Sequence, residues 1–229
     1  FQVLPGETVA LVGESGCGKS TTARIVARLM DPSQGRLFFR GDDVTDVRGA
    51  ALRQLRSEVQ FVFQDPYSSL NPRHTVEEIV TAPLVYQGKP IKGGARAFTS
   101  DLLERVGLNP EHVDRYPHQF SGGQAQRIGI ARAIAVNPTV AVLDEAVSAL
   151  DVSVRAQVLN LLDEIITEKN LTMVLVTHDL HVVRHACDVI AVMREGRIVE
   201  CGPTEAVFTS PLHPHTQNLI EAMPSIARA

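Results

Sequence analysis

Apolar residues along this chain follow two rhythms, and the change from one to the other divides it. Residues 8–12, 58–63, 139–143 and 171–176 are short runs with the length and composition of strands. The run at 139–143 is apolar without alternation, as expected of a strand buried on both faces of a parallel sheet. A further strand is expected at 36–40, ended by Gly41-Asp42-Asp43, and residues 189–193 with 198–200 read as a closing hairpin around Glu195-Gly196. Helical spacing fills the intervals. Ile25, Val26 and Leu29 place a helix over 20–30, and others are expected at 50–56, at 152–168 and from the cap Asp179 through Ala186. Short helices are expected at 203–208 and 215–223.

From residue 70 to 136 the strand signal is almost gone. Thr75 with Glu78, and Ser121 with Gln124, form capping boxes that each open a helix; Pro83 should disturb the first. Phe98, Leu102, Leu103 and Val106 share a helix face that Gly107 closes. The pattern predicts an α/β fold with a mainly parallel sheet and an inserted α-helical subdomain. The α/β core would comprise about 1–69 and 138–209, the helical subdomain about 70–137, and a C-terminal tail about 210–229.

Composition narrows the setting. With 229 residues, 44% of them hydrophobic, the chain can bury a substantial core. A net charge of −4 offers no broad basic surface, so nucleic acid is not an expected partner. Cys17, Cys187 and Cys201 contain no CxxC pair, so neither a disulfide framework nor a zinc site is expected, and a reducing compartment suits them. No uncharged apolar run reaches the ~18 residues of a membrane span. Phe1-Gln2-Val3-Leu4-Pro5 reads as the middle of a domain, so the chain is expected to be cut from something longer, with N-terminal strands truncated.

The chemistry concentrates at strand ends. Gly13-Glu14-Ser15-Gly16-Cys17-Gly18-Lys19-Ser20 has the two-glycine, Lys-Ser spacing of a phosphate-binding loop, set between a strand and a helix. Gly13, Gly16 and Gly18 let backbone N–H groups converge on phosphate oxygens; Lys19 can reach the β- and γ-phosphates, and Ser20 offers a hydroxyl to Mg²⁺. Three other apolar runs also stop at polar residues: Phe63 before Gln64, Leu143 before Asp144-Glu145, and Val176 before Thr177-His178. If the strands are parallel, all four tips share one edge, where open α/β sheets bind ligands. There Asp144 can hold Mg²⁺ through its water shell, and Glu145 can polarise an attacking water as general base. Gln64 can orient that water or complete the Mg²⁺ shell, and His178 can contact the γ-phosphate and steady Glu145. Ser121-Gly122-Gly123-Gln124 follows no strand; at a helix N-terminus it is an anion site of its own, suited to the nucleotide of another subunit. His178, His181 and His185 lie at helical spacing, but no ligand set completes a metal site around them.

In that order these motifs resemble those of the nucleotide-binding domain of ABC (ATP-binding cassette) transporters. Residues 13–20 match its Walker A motif, Gln64 its Q-loop, and Ser121 to Gln124 its signature. Residues 140–145 match Walker B, Ser148-Ala149-Leu150-Asp151 the D-loop, and His178 the switch histidine. The resemblance covers nearly the whole chain and implies a P-loop NTPase core, ATP and Mg²⁺ as ligands, and ATP hydrolysis. Glu14, Ser15, Cys17 and Thr21 join the ATP contacts on the same ground. It also implies a head-to-tail dimer in which Ser121, Gly122, Gly123, Gln124 and Asp151 act in trans. Gln64 to Arg73, and Ser210 to Leu219, are similar to the oligopeptide/dipeptide/nickel importer ATPases. The implied partners are a second ATPase domain (identical, a paralogue, or a tandem half of the same polypeptide), integral-membrane permease subunits and, indirectly, a substrate-binding protein. The implied place is the cytoplasmic face of a bacterial or archaeal cell membrane. Ala146 stands where the family usually has Pro, Ala125 where Arg is common and Phe120 where Leu is frequent; the adenine-stacking aromatic would lie upstream of Phe1. A soluble ABC protein acting on nucleic acid or ribosomes is the alternative, but such relatives carry long inserts or charged linkers, which this chain does not show.

Overall fold

The apolar runs become four adjacent strands of a six-stranded sheet in the structure, a computed structural model that describes residues 1–147 and 152–223. In chain order the sheet and its helices are β1 Thr8–Gly13, α1 Lys19–Val26, α2 Gly49–Glu58, β4 Val59–Val62, β5 Val140–Asp144, α7 Val152–Lys169, β6 Thr172–Val176, α8 Leu180–Ala186, β7 Val189–Arg194 and β8 Arg197–Pro203. Between β4 and β5 run α3 Pro66–Ser69, α4 Val76–Gln87, α5 Ala95–Arg105 and α6 Gly122–Ile134; α9 Thr204–Thr209 and α10 Pro214–Glu221 follow β8. A separate two-stranded ribbon pairs β2 Phe38–Phe39 with β3 Asp42–Asp43.

The sheet order is β4-β5-β6-β1-β7-β8, with every pair parallel except β7 with β8. All residues of β1 and β6 are buried, which explains why their sequences show no alternation. The pleat still sorts them between two faces. Ala10, Val12, Leu143, Leu175 and Val192 pack with apolar residues of α4 to α8, whereas Leu11, Val142, Val174 and Ala191 pack with Ala23 and Ala27 of the first helix and Leu55 of the second. The helices between β4 and β5 therefore share one continuous apolar core with a face of the sheet. Both predicted capping boxes are formed, and Leu108 N–H closes α5 on the Leu103 carbonyl.

Three expectations are corrected. The strand at 36–40 shrinks to two residues, and Asp42-Asp43, expected to stop it, is its returning partner. Arg40 and Gly41 take φ values of +52° and +89°, the two-residue turn whose twist suits a hairpin. The helix expected over 20–30 ends at Val26, leaving Leu29 exposed. There Arg28 takes φ +52° while Leu29 N–H reaches the Arg24 carbonyl, a left-handed stop. The fully buried Arg28 guanidinium rewards that conformation by donating to Asp31 and to the Val44 and Val47 carbonyls, which clasps the ribbon's exit onto α1. Finally, α4 continues through Pro83 to Gln87. Its buried Val76, Ile79, Val80 and Leu84 and its capping box outweigh the one N–H that proline cannot supply to Ile79.

The tail is pinned at one point. Glu200 on β8 accepts Leu212 N–H at 2.8 Å and His213 N–H at 3.0 Å, one on each carboxylate oxygen. Partial burial pushes this carboxyl up, but the Leu212 N–H, the Thr216 hydroxyl, the His213 N–H and the His213 charge together outweigh it and hold it below the usual carboxylate range. A lowered folded value means that the clamp is at full strength above the ordinary carboxylate titration and is lost as pH falls through the lowered value. Hydrogen-exchange protection of the Leu212 and His213 amides is accordingly expected to disappear on acidification before that of the β1 and β6 amides. Glu200→Gln, left with one acceptor oxygen, should lose it at neutral pH for one of the two; full protection of both would contradict the clamp.

Candidate nucleotide site

Because β1, β4, β5 and β6 are parallel, their carboxyl ends lie on one edge, and the sequence-predicted residues gather there. A cavity of about 700 Å³ is lined by Gly13, Glu14, Ser15, Lys19, Glu145 and His178, among others. The loop after β1 is held from behind by the β7–β8 turn, where Gly196 N–H donates to the Cys17 carbonyl at 2.9 Å. Gly13 sits against that support: a Cβ there would stand 2.3 Å from the Met193 carbonyl oxygen and 2.9 Å from Cys17 Sγ. Glu14, Ser15 and Gly16 are exposed at the loop's crest, Cys17 is buried beneath it, and Gly18 caps α1. Thr21 is exposed in the first turn of that helix.

Lys19 is 5% exposed, a burial that a charged amine tolerates only when it is solvated by the protein. Its Nζ donates to the carbonyls of Gly13 at 2.8 Å and Glu14 at 2.9 Å, so the lysine folds over the loop and points at its mouth. One position on, Ser20 Oγ donates to Asp144 Oδ1 at 2.8 Å, tying the start of α1 to the tip of β5. Asp144 is 2% exposed, held inside the sheet by its register with Val176.

Glu145 leaves the ladder at φ +46°, with its N–H donating to the Val176 carbonyl. That turn swings its carboxylate between two neighbouring strand tips. Gln64 Nε2, from beyond β4, donates to Oε2 at 2.9 Å, and His178 Nδ1, from beyond β6, stands 3.5 Å from Oε1. His178 is itself located by its flanks. Thr177 N–H donates to the Leu11 carbonyl, and Asp179 accepts the N–H groups of His181 and Val182 and pairs with Arg155 at 2.6 Å.

Ser121, Gly122, Gly123 and Gln124 are not among the residues lining the cavity. They form the exposed start of α6, with Ser121 N–H donating to Gln124 Oε1 at 3.0 Å. Asp151, with the rest of residues 148–151, lies outside the described residues. Sequence reasoning missed one wall of the cavity: Asp179, Leu180 and His181 at the start of α8, with Leu219, Ala222 and Met223 of the tail. Asp179 signalled only as a cap, and nothing in the local pattern of the tail residues announces that they reach this edge.

A glycine-rich loop between strand and helix, an acidic pair on the next strand but one and a histidine between them make this edge that of a P-loop nucleoside triphosphatase. Residues 1–148 match the family model described as ABC transporter, and the chain belongs to that family. Residues 199–229 match the model described as Oligopeptide/dipeptide transporter, C-terminal region. Over 224 residues the chain is 50% identical to a probable peptide ABC transporter ATP-binding protein of Sinorhizobium fredii, covering 98% of itself and 64% of that relative. It is 49% identical over 224 residues to the glutathione import ATP-binding protein GsiA of Pectobacterium atrosepticum, again over 98% of itself but 36% of that protein. The chain thus spans less than two thirds of the length of these relatives. Among solved structures, a dimeric ATP-binding cassette in a post-hydrolysis state with ADP and Pi superposes with a TM-score of 0.82 at 31% identity, covering 89% of this chain and 88% of that one.

The tight seat of Gly13 makes a direct prediction. Gly13→Ala drives a methyl group into a backbone carbonyl at a φ of +152°, so stability should fall by ~1–3 kcal/mol, the usual cost of overpacking. A lower Tm in thermal denaturation is expected; a variant as stable as the parent would show that the loop does not need this close approach.

Proposed function

We propose that the chain binds and hydrolyses ATP and that this drives a membrane importer of the peptide class. The observation that carries the reading is the meeting of Gln64 and His178 on the Glu145 carboxylate, beside the Ser20–Asp144 pair and the Lys19 loop. The Gly13 and Glu14 carbonyls hold Lys19 where a triphosphate would sit, and its amine exchanges them for β- and γ-phosphate oxygens. N–H groups of Glu14, Ser15, Gly16, Gly18, Ser20 and Thr21 are offered to the remaining oxygens at the positive end of α1, and that of Cys17, which donates to the Glu14 carbonyl at 3.3 Å, joins them by sharing. Mg²⁺ fits the donors present: a hydroxyl, a buried carboxylate reached through water, and the Gln64 amide are hard oxygen ligands that leave room for phosphate and water. When bound, the ion neutralises charge on the phosphates. Glu145 accepts the proton of the attacking water, Gln64 orients that water, and His178 contacts the γ-phosphate and steadies the carboxylate.

The same reading gives the signature a role in trans. The hydroxyl of Ser121 and the uncovered N–H groups of Gly122 and Gly123, with Gln124 and Asp151, complete the site of a second ATPase domain. The likeness to a dimeric cassette supports that pairing, whether the partner is an identical copy, a paralogue or another half of one polypeptide. The region about 70–137 then acts as a helical subdomain against a core of about 1–69 and 138–209, and passes its movement to permease subunits. Import of peptides is supported by the match of the tail, about 210–229, to the oligopeptide/dipeptide C-terminal region and by the names of the relatives. A substrate-binding protein would meet the complex only indirectly. Among the described residues no helix is long and apolar enough to cross a membrane. The importer reading itself puts the chain at the cytoplasmic face of the membrane, as a peripheral subunit.

Glu145→Gln keeps the shape of the side chain but removes the base. Turnover measured by phosphate release should fall about 10²- to 10⁴-fold, while nucleotide titration should give near-parental ATP affinity. Hydrolysis at the parental rate would reject the assignment of Glu145.

A further inference from the structure

The eight residues from Phe63 to Leu70 carry Gln64 from the end of β4 to the helices, and the side chains of Gln126, Arg132 and Tyr67 fasten them by hydrogen bonds to α6 and its approach. Gln126, 2% exposed, donates from Nε2 to the Phe63 carbonyl at 3.3 Å, one residue before Gln64. Arg132, two turns further along the same helix, donates from Nη1 to the Ser69 carbonyl at 2.6 Å. Tyr67 returns the contact, its phenol donating to the Phe120 carbonyl at 2.7 Å, one residue before Ser121. The segment is thus held at both ends by α6 and in the middle by the residue that precedes that helix. Internal bonds stiffen it further: Asp65 caps α3 through Tyr67 N–H, and Ser69 Oγ donates to the Pro66 carbonyl.

We propose that Gln126, Arg132 and Tyr67 are positioning residues that make the Gln64 loop and the start of α6 one rigid piece. The grip of Gln64 on Glu145 is then set by where Ser121 sits. Gln64 reaches one side of that piece, toward the Glu145 carboxylate; Ser121 to Gln124 face the other, toward the nucleotide of the second domain. A nucleotide that draws the Ser121 end toward the partner moves Gln64 by the same rigid displacement. The inference deepens the proposed ATPase reading and rests on it. Tyr67 is the part of the brace that can be removed most cleanly: it is 45% exposed, and its hydroxyl can be deleted without disturbing a core.

The test is a double-mutant cycle in the full chain between Tyr67→Phe and Gln64→Ala, read as steady-state ATP turnover. Tyr67→Phe alone should lower kcat about 3- to 10-fold, leave KM for ATP within about twofold and lower Tm by no more than about 4 °C, because one part-buried hydrogen bond contributes only modestly to stability. In the Gln64→Ala background the same change should have no further effect on kcat, since the group it positions is gone. Losses that multiply in the double variant, or parental turnover in Tyr67→Phe, would overturn the brace. Amide exchange gives a second readout: protection across residues 63–70 should fall in Tyr67→Phe and stay parental in β1 and β6, and unchanged protection also counts against it. Failure of the underlying reading is distinguishable, because Glu145→Gln would then retain turnover whatever Tyr67 does.

Discussion

Parallel pairing of β1, β5 and β6 is the constraint from which the rest of this molecule follows. These strands, the first more than a hundred residues before the other two, end within a couple of register positions of one another, so the residues that follow them emerge at one rim. The pairing is possible only because these strands are buried on both faces, and that in turn requires helices on both sides. An antiparallel partner in the middle would send one tip to the opposite edge. Within the six-stranded sheet the reversal comes at β8, beyond the site, where its turn with β7 bends back to support the Cys17 carbonyl.

At that rim Lys19 and Asp144 are buried, and each is answered by a named partner. Lys19 without acceptors would carry the several kcal/mol typical of an uncompensated buried ion; its two carbonyl partners offset this, at ~1.5–3 kcal/mol for each bond to a charged donor. Asp144, equally buried, takes its bond from Ser20. The two pairs interlock: Lys19 binds the loop and Ser20 binds β5, although the residues are adjacent on one helix turn. The loop and the tip of β5 are therefore held in place by the protein's own groups.

What the sequence made legible was whatever depends on local order. Glycine spacing, the apolar run before Asp144-Glu145, and the two capping boxes each act over a few residues, and each emerged where the pattern placed it. What escaped depends on distant partners. Arg28 can stop α1 early in a left-handed conformation because acceptors at Val44 and Val47 wait for it, sixteen and nineteen residues away. Pro83 stays inside α4 because buried contacts along that helix outweigh one missing bond. The two-residue ribbon turned on Arg40 and Gly41, where an aspartate pair looked like a stop and proved to be a pairing strand. The tail wall of Leu219, Ala222 and Met223 belongs to the same class, because the clamp on Glu200 and the packing of Leu219, Ile220 and Met223 on the distant core bring that helix toward the rim.

The two faces of the sheet also divide the work. The face shared by α1 and α2 fixes the phosphate loop and includes Cys17 and Met193 in its packing. The opposite face joins β4 and β5 to α4, α5 and α6 in one apolar cluster, so Gln64 stands at the junction between sheet and helices. A displacement of those helices cannot leave Gln64 behind while Phe63 and Ser69 remain bonded to α6. Gln64 is tied to the sheet by the chain itself, two residues beyond β4, and its side chain reaches the sheet through one exposed bond to Glu145 with a net worth of ~1 kcal/mol, while Gln126, Arg132 and Tyr67 bond its loop to α6 and its approach. When the helices shift and the chain turns at Gln64, that side-chain bond has the least to hold it and breaks first. Movement of the helices thereby reaches the proposed general base with no need to deform the sheet that carries it.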